Sequence, residues 1–312
     1  MMTPRHSRVI VFGPTGHVGS ATALEASQRG AHVTLAMRDP SKPVPGITSS
    51  DSTFTRLKAD LTDPSSVTAV VGESKATAAF VYHVQSQDGL RASLSAMKEA
   101  GIQHVVFLST FSIQRDVELA SIPPEDLIPY IHAQIELNLS QLGFSYTAIR
   151  PAQFASNQFM MSLDQSTTPW SAHVFKGDAL GDAIVPGDIG KVAASVLVSP
   201  PPTEELPSDR AIYLCGPELT TTDEKWDVIK KVHAEQNIDV KHVGANEFSA
   251  YLKGKGLPPP LVDYLVSQLG GIHGDGSMYK AIPYDEYSRN VKKYSGYEPT
   301  RFEEFVRGYQ LE

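Results

Sequence analysis

The chain has 312 residues, 41% hydrophobic and 20% charged, enough apolar sequence to build a sizeable core. Its formal net charge of −8 argues against a nucleic-acid or anionic-membrane surface, since both need a basic face. The one cysteine, Cys215, excludes an intrachain disulfide, and neither a signal-peptide core nor a run of ~18 apolar residues is present, so the expectation is a cytoplasmic protein with no membrane contact.

The first predicted strand is Val9–Phe12. It breaks into Gly13-Pro14-Thr15-Gly16-His17-Val18-Gly19, and a helix is predicted over Ser20–Gln28. Each glycine has a physical task here. Gly13 turns the chain off the strand, Gly16 lets a pyrophosphate approach the backbone, and Gly19 lets the helix pack closely on the strand. The start of the helix offers N–H groups and a positive dipole end to the phosphates. The loop therefore reads as a dinucleotide cradle, with Thr15, His17 and Val18 among its contacts. A tight strand–helix turn without a ligand is the alternative.

Ala31–Met37, Phe54–Ala59, Ala78–Val84 and His104–Ser109 read as strands two to five, with a helix over Gly89–Ala100. This alternation predicts an α/β fold, a doubly wound parallel sheet with right-handed crossovers. Ligands bind such sheets at the carboxyl ends of the strands. Past strand two come Arg38 and then Lys42, cations that suit the 2′-phosphate of NADP(H), with Asp39 read as a surface residue turned away. Past strand three come Asp60 and Leu61, where Asp60 could bond the adenine amino group or serve only a turn. Asp63, before Pro64, reads as a helix cap. Val84 and Gln85 follow strand four. Ser109 and Ser112 follow strand five, as hydroxyls for a substrate carbonyl or a ribose, or as plain loop serines.

Residues Ile122–Pro129 read as a proline-interrupted loop and Tyr130–Leu142 as a helix with the apolar stripe Ile131, Ile135, Leu139 and Leu142. His132 and Glu136 share another face of that helix. Phe144–Ile149 is the sixth strand, closed by Arg150-Pro151. Asn157–Val174, rich in Met, Phe, Gln and Ser, reads as pocket-lining loop or as plain loop packing. Asp188 is expected to cap a helix running to Val198. Ala211–Cys215 reads as a strand with Cys215 packed inside, and Asp223–Glu235 as a helix. Helices over Asn246–Lys253 and Pro258–Leu269 read as a small cap, and an amphipathic helix carrying Phe302, Phe305, Val306 and Tyr309 ends the chain.

These pieces together resemble the NmrA-like family of atypical short-chain dehydrogenases/reductases. The resemblance is carried by the glycine loop, Arg38, Ala59-Asp60-Leu61, Phe107-Leu108-Ser109, Tyr146 through Arg150-Pro151, Gly187-Asp188-Ile189-Gly190 and Gly296 through Phe305. It covers nearly the whole chain. It implies a Rossmann-type core with a smaller α+β carboxyl-terminal substrate domain, and NADP(H) bound at the glycine loop and Arg38. The expected division gives residues 1–152 to the core, with 183–198 and 211–236 returning to it, and 153–182 and 237–312 to the substrate region. Pro151, and Ser109 and His132 near the nicotinamide ribose, complete the expected cofactor set.

Short-chain dehydrogenases use Tyr-x-x-x-Lys on the helix after strand five, and the matching positions here hold Ile128 and His132. His132 could bond the ribose or donate a proton near neutral pH, or be a structural helix histidine. Ser109 and Tyr130 are further candidates for the chemistry. Tyr251 and Lys255 have the right spacing but lie far downstream, as a chance match. No Gly-x-Ser-x-Gly elbow, P-loop or paired-cysteine metal motif is present. The expectation is an NADP(H)-dependent oxidoreductase acting on a small carbonyl, imine, iminium or conjugated substrate. It would serve specialised metabolism, with net redox or redox-neutral turnover. The alternative is a non-catalytic NADP(H)-binding redox sensor. The oligomeric state is left open.

Overall fold

The structure is a computed structural model and describes residues 5–48, 50–202, 205–270 and 276–311. Among these residues, seven strands form the main sheet: β1 (Arg8–Phe12), β2 (His32–Met37), β3 (Phe54–Lys58), β4 (Ala78–Tyr82), β5 (His104–Leu108), β6 (Ser145–Pro151) and a last strand, Ala211–Leu214. Their order is β3-β2-β1-β4-β5-β6 and then Ala211–Leu214, with every pairing parallel. This is the doubly wound parallel sheet expected. Inner parallel strands are covered on both faces and so must be apolar along their length. Val9, Ile10 and Val11 of β1 and Val105, Val106 and Phe107 of β5 are accordingly 0% exposed. The edge strand β3 is only half-buried, and its sequence is correspondingly mixed.

Helices α1 (His17–Gln28), α2 (Pro64–Ser74), α3 (Arg91–Glu99), α4 (Leu127–Gln141) and α5 (Pro186–Val198) accompany this sheet. Asp63 caps α2 as expected, accepting from Ser65 N at 2.9 Å, with Pro64 in the first turn. Three expectations are corrected. Helix α1 starts at His17 rather than Ser20, directly after Gly16. Helix α4 starts at Leu127 and takes Pro129 into its first turn, where a missing N–H forfeits no intrahelical bond. Asp188 is not the cap of α5; it lies inside the first turn, buried, and accepts from Lys191 Nζ at 3.0 Å.

The chain divides into two compact units. The first comprises Met1–Pro151, Pro186–Leu214 and Asn290–Tyr297, and the second Ala152–Val185, Cys215–Arg289 and Glu298–Glu312. The stretch 211–236, expected as one return to the core, divides after Leu214.

The second unit is α+β. Leu163–Asp164 pairs antiparallel with Ser171–Val174, which pairs parallel with Asp239–His242. Its core gathers Phe159, Leu163, Ala172, Val174, Trp226, Ile229, Phe302 and Val306, with Trp170 packed against it. So much of Asn157–Val174 is core and short strand rather than pocket-lining loop. Asp182, 0% exposed, ties three parts of this unit, accepting from Gln153 N, Gly216 N and the Tyr279 hydroxyl at 3.1, 2.7 and 2.7 Å. Cys215 is buried, and burial raises its thiol well above the usual range. The helix over Tyr284–Ser295 starts in this unit and its residues from Asn290 on belong to the first; within its polar sequence Tyr287 and Val291 are buried. Among the described residues, no helix is long and apolar enough to cross a membrane.

Helices α1 and α5 pack together at Gly190, where a Cβ would stand 2.4 Å from Ala21 Cβ and 2.8 Å from Thr22 N. Gly190→Ala should therefore lower stability in urea melts by about 1–3 kcal/mol through overpacking. Gly72→Ala in α2, where a Cβ meets nothing within 4 Å, should leave stability unchanged or raise it.

Candidate functional site

The β1–α1 loop is built backbone on backbone. Gly13 takes φ +68°, and a Cβ there would meet the Tyr82 ring at 2.4 Å. A Cβ on Gly19 would stand 2.2 Å from the Gly13 carbonyl oxygen. Gly16 differs. Its nearest neighbour to such a Cβ is Gly13 O at 3.6 Å, so the protein itself leaves room there. Gly16 is exposed, donates to Gly13 O at 3.2 Å to close the turn, and begins α1 with no side chain capping the helix. Thr15 and His17 are exposed beside it, while Val18 and Gly19 turn inward.

A cleft of ≈ 170 Å³ opens at the carboxyl ends of β1 to β4. Gly13 and Thr15 line it after β1, Arg38 after β2, Asp60, Leu61 and Thr62 after β3, and Tyr82 and Val84 at β4. Arg38 is exposed. Asp39 beside it is occupied elsewhere: its Oδ1 accepts from Ser41 N and Oγ at 3.0 and 2.6 Å, which holds its carboxyl below the usual range. Asp60 Oδ1 accepts from Thr62 N and Oγ1 at 2.9 and 2.8 Å. Those bonds, then the Arg38 charge, lower its carboxyl pKa. Asp60 thus serves a turn while lining the cleft. Lys42 is exposed on the following turn and is not among the residues lining the cleft; Gln85 likewise stands outside it, exposed. A bare backbone at Gly16, an uncapped helix start, an exposed guanidinium and an apolar wall at Leu61 and Val84 fit the phosphate, 2′-phosphate and adenine of a dinucleotide.

Beyond the cleft, the residues considered for chemistry separate. Ser109 is buried, and its hydroxyl donates to Glu136 Oε1 at 2.6 Å. Glu136 is 0% exposed and forms an ion pair with Arg150, Nη2 to Oε2 at 2.7 Å. Arg150 Nη1 continues to Ile113 O, the Tyr213 hydroxyl and Asp209 Oδ2. The Ser109 hydroxyl is therefore engaged in a buried ionic network. Pro151 ends β6 beside this network, its carbonyl accepting from Phe111 N at 3.1 Å.

His132 Nδ1 donates to Ile128 O at 2.8 Å. Its ring lies 5.2 Å from His83 and 6.0 Å from Phe107, centroid to centroid. Burial pushes its pKa down to about 4. A neutral ring that donates through Nδ1 keeps only an acceptor at Nε2. A neutral ring in this state can accept a hydroxyl hydrogen bond at Nε2. Tyr130 lies about 200° around the helix from His132 and packs against Ile113, Ile122 and Ala133, so the two do not share a site.

Tyr251 and Lys255 do meet, Nζ to hydroxyl at 3.3 Å, in the second unit. Both donate to main-chain carbonyls, Tyr251 to Ser162 O and Lys255 to Leu163 O, and His173 stacks on the Tyr251 ring at 4.0 Å. Their spacing fastens one helix to a neighbouring strand. Tyr82 and His83 were missed from sequence; their place at the carboxyl end of β4 was the available signal.

Residues 13–200 match the family described as NAD(P)H-binding. The nitrogen metabolite regulation-like protein bik4 of Gibberella fujikuroi is 35% identical over 321 aligned positions, covering 98% of each chain. The NADPH-dependent quinone oxidoreductase of Escherichia coli, solved with NADPH, superposes with TM-score 0.70 at 19% identity, over 96% of this chain and 99% of that one. Nmra, a negative transcriptional regulator, superposes with TM-score 0.66 at 16% identity, over 96% and 95%. At these identities both structures speak for the fold alone.

The neutral His132 ring sets a pH dependence. Its folded pKa lies below the ordinary 6.5, so between pH 6.5 and about 4 the unfolded chain holds a proton that the folded one does not. Stability is complete above that window and falls as pH drops through it. Urea melts across this range should show the loss, and His132→Gln should make it shallower. An identical profile in the variant would refute the assignment.

Proposed function

The chain belongs to the NAD(P)H-binding family, and we propose that it is an NADP(H)-dependent oxidoreductase of the atypical short-chain type. Its substrate would be a small carbonyl, imine, iminium or conjugated compound of specialised metabolism, in a net redox or redox-neutral reaction. The observation that carries the cofactor preference is the exposed Arg38 guanidinium in the cleft, with the neighbouring Asp39 carboxylate tied to Ser41. A cation at the end of β2, with Asp39 held by Ser41 and the cleft's Asp60 held by Thr62, favours a 2′-phosphate over a bare ribose.

In this reading Gly13, Thr15, Gly16, His17, Val18 and Gly19 hold the pyrophosphate, Arg38 the 2′-phosphate, and Asp60, Leu61 and Val84 the adenosine. Lys42 contributes long-range charge. The nicotinamide would supply the hydride when bound. His132 Nε2 orients the nicotinamide ribose by accepting from a hydroxyl, and Gln85, Ser109 and Pro151 border it. Neither Ser109 nor His132 has a proton to give at neutral pH. This supports substrates that accept hydride without an enzyme acid, such as quinones, iminium ions and extended conjugated systems. Residues 153–182 and 237–312 would recognise the substrate. The half-exposed apolar groups around Phe248, Leu252 and Val262, among them Met161, Phe175 and Leu269, suit a flat apolar molecule.

The name of the 35%-identical relative favours a second reading, a non-catalytic NADP(H) sensor that alters partner affinity with cofactor redox state. Arg38→Ala should weaken NADPH binding in calorimetric titrations by about 1.5–3 kcal/mol and leave NADH binding unchanged. Turnover separates the two readings. NADPH oxidation with quinones, iminium ions or enones supports the enzyme. A protein that binds NADPH yet never oxidises it across that panel leaves the sensor.

A further inference from the structure

Arg56, on β3, lies outside the cleft lining yet grips the segment that carries Arg38. Its Nη1 donates to Lys42 O at 2.9 Å and to Pro40 O at 3.4 Å, and its Nη2 to Ile47 O at 3.4 Å. One guanidinium thus bridges three carbonyls of the β2–β3 connection. The same connection is closed by Lys42 N donating to Asp39 O at 3.2 Å and Ile47 N to Val44 O at 3.0 Å. Val44 and Ile47 are buried, and Gly46 turns at φ +73° against Leu24 of α1. The connection is therefore held by apolar contact at its far end. At its near end, where Asp39, Pro40 and Lys42 turn, Arg56 is the side chain reaching in from β3.

We propose that Arg56 is a positioning residue for cofactor selectivity. By fixing the carbonyls of Pro40 and Lys42, it locks the turn in which Asp39 faces Ser41. The Asp39 carboxylate is then kept away from the 2′-phosphate beside Arg38. Loosening the turn frees Asp39 to face the ribose, where a carboxylate repels a phosphate and accepts from plain hydroxyls. The loss is therefore specific to NADP(H), and NAD(H) binding is kept or gained. Pre-fixing the turn also removes an ordering cost from binding.

This inference rests on the NADP(H) reading above, and the test separates the two. Dissociation constants for NADPH and NADH are measured on wild type, Arg56→Gln and Arg56→Lys, with melting temperatures alongside. A wild type without NADPH preference sinks the cofactor reading itself. Given that preference, Arg56→Gln should cut the NADPH-to-NADH affinity ratio about tenfold, with NADH affinity equal to or above wild type. Arg56→Lys, which keeps the charge and reaches fewer carbonyls, should show a smaller shift and serves if Arg56→Gln does not fold. Adding Asp39→Asn to Arg56→Gln should restore the ratio. An unchanged ratio, or parallel loss of both cofactors, would overturn the proposal.

Discussion

The head of α1 rests on the Gly13 carbonyl with no side chain between them, and most of the first unit follows from that contact. A Cβ at Gly19 would overlap the Gly13 oxygen at 2.2 Å, so no other residue there lets the helix start so close to the end of β1. The other side of Gly13 is filled by the Tyr82 ring, and the residue after Tyr82 brings its imidazole against His132. Along its flank α1 meets Gly190 of α5, again with no room for a methyl. The helix is thus held on both sides by glycine, and its uncapped start is fixed where β1 to β4 end.

Much of this was legible in the chain because it is local. The apolar runs of the inner strands need no partner to be recognised, since burial on both faces demands them. The glycine spacing and the cation after β2 lie within a few residues of the elements that give them meaning. What sequence could not supply is pairing at a distance. Ser109 read as a strand-end hydroxyl for a ligand or as a plain loop serine; it is buried, and its hydroxyl donates to Glu136, from a helix later in the chain. The tautomer of His132 depends on one main-chain carbonyl and its pKa on burial, neither of which a sequence displays. In the second unit, strands of two to four residues fall below the length at which alternation can be read.

The Glu136–Arg150 pair links these observations. Two charges buried together are tolerated only when nearly every donor and acceptor is used. Here Ser109, Ile113 O, Tyr213 and Asp209 complete the set. The pair pins α4 to β6, and His132 lies one turn before Glu136 on that helix. The network that engages Ser109 thus also helps to hold the helix that places His132 against His83.

Each unit is assembled from three separate stretches of chain. A ribosome delivers residues in order, so most of the main sheet is available early, but neither unit can be completed until its last stretch emerges. Asn290–Tyr297 closes the first and Glu298–Glu312 the second. During synthesis the apolar groups that await Phe302 and Val306 stand open long after their neighbours are made. The interlaced chain path therefore makes residues 290–312 a shared checkpoint, and a nascent chain stopped short of them holds two unfinished cores rather than one finished and one missing.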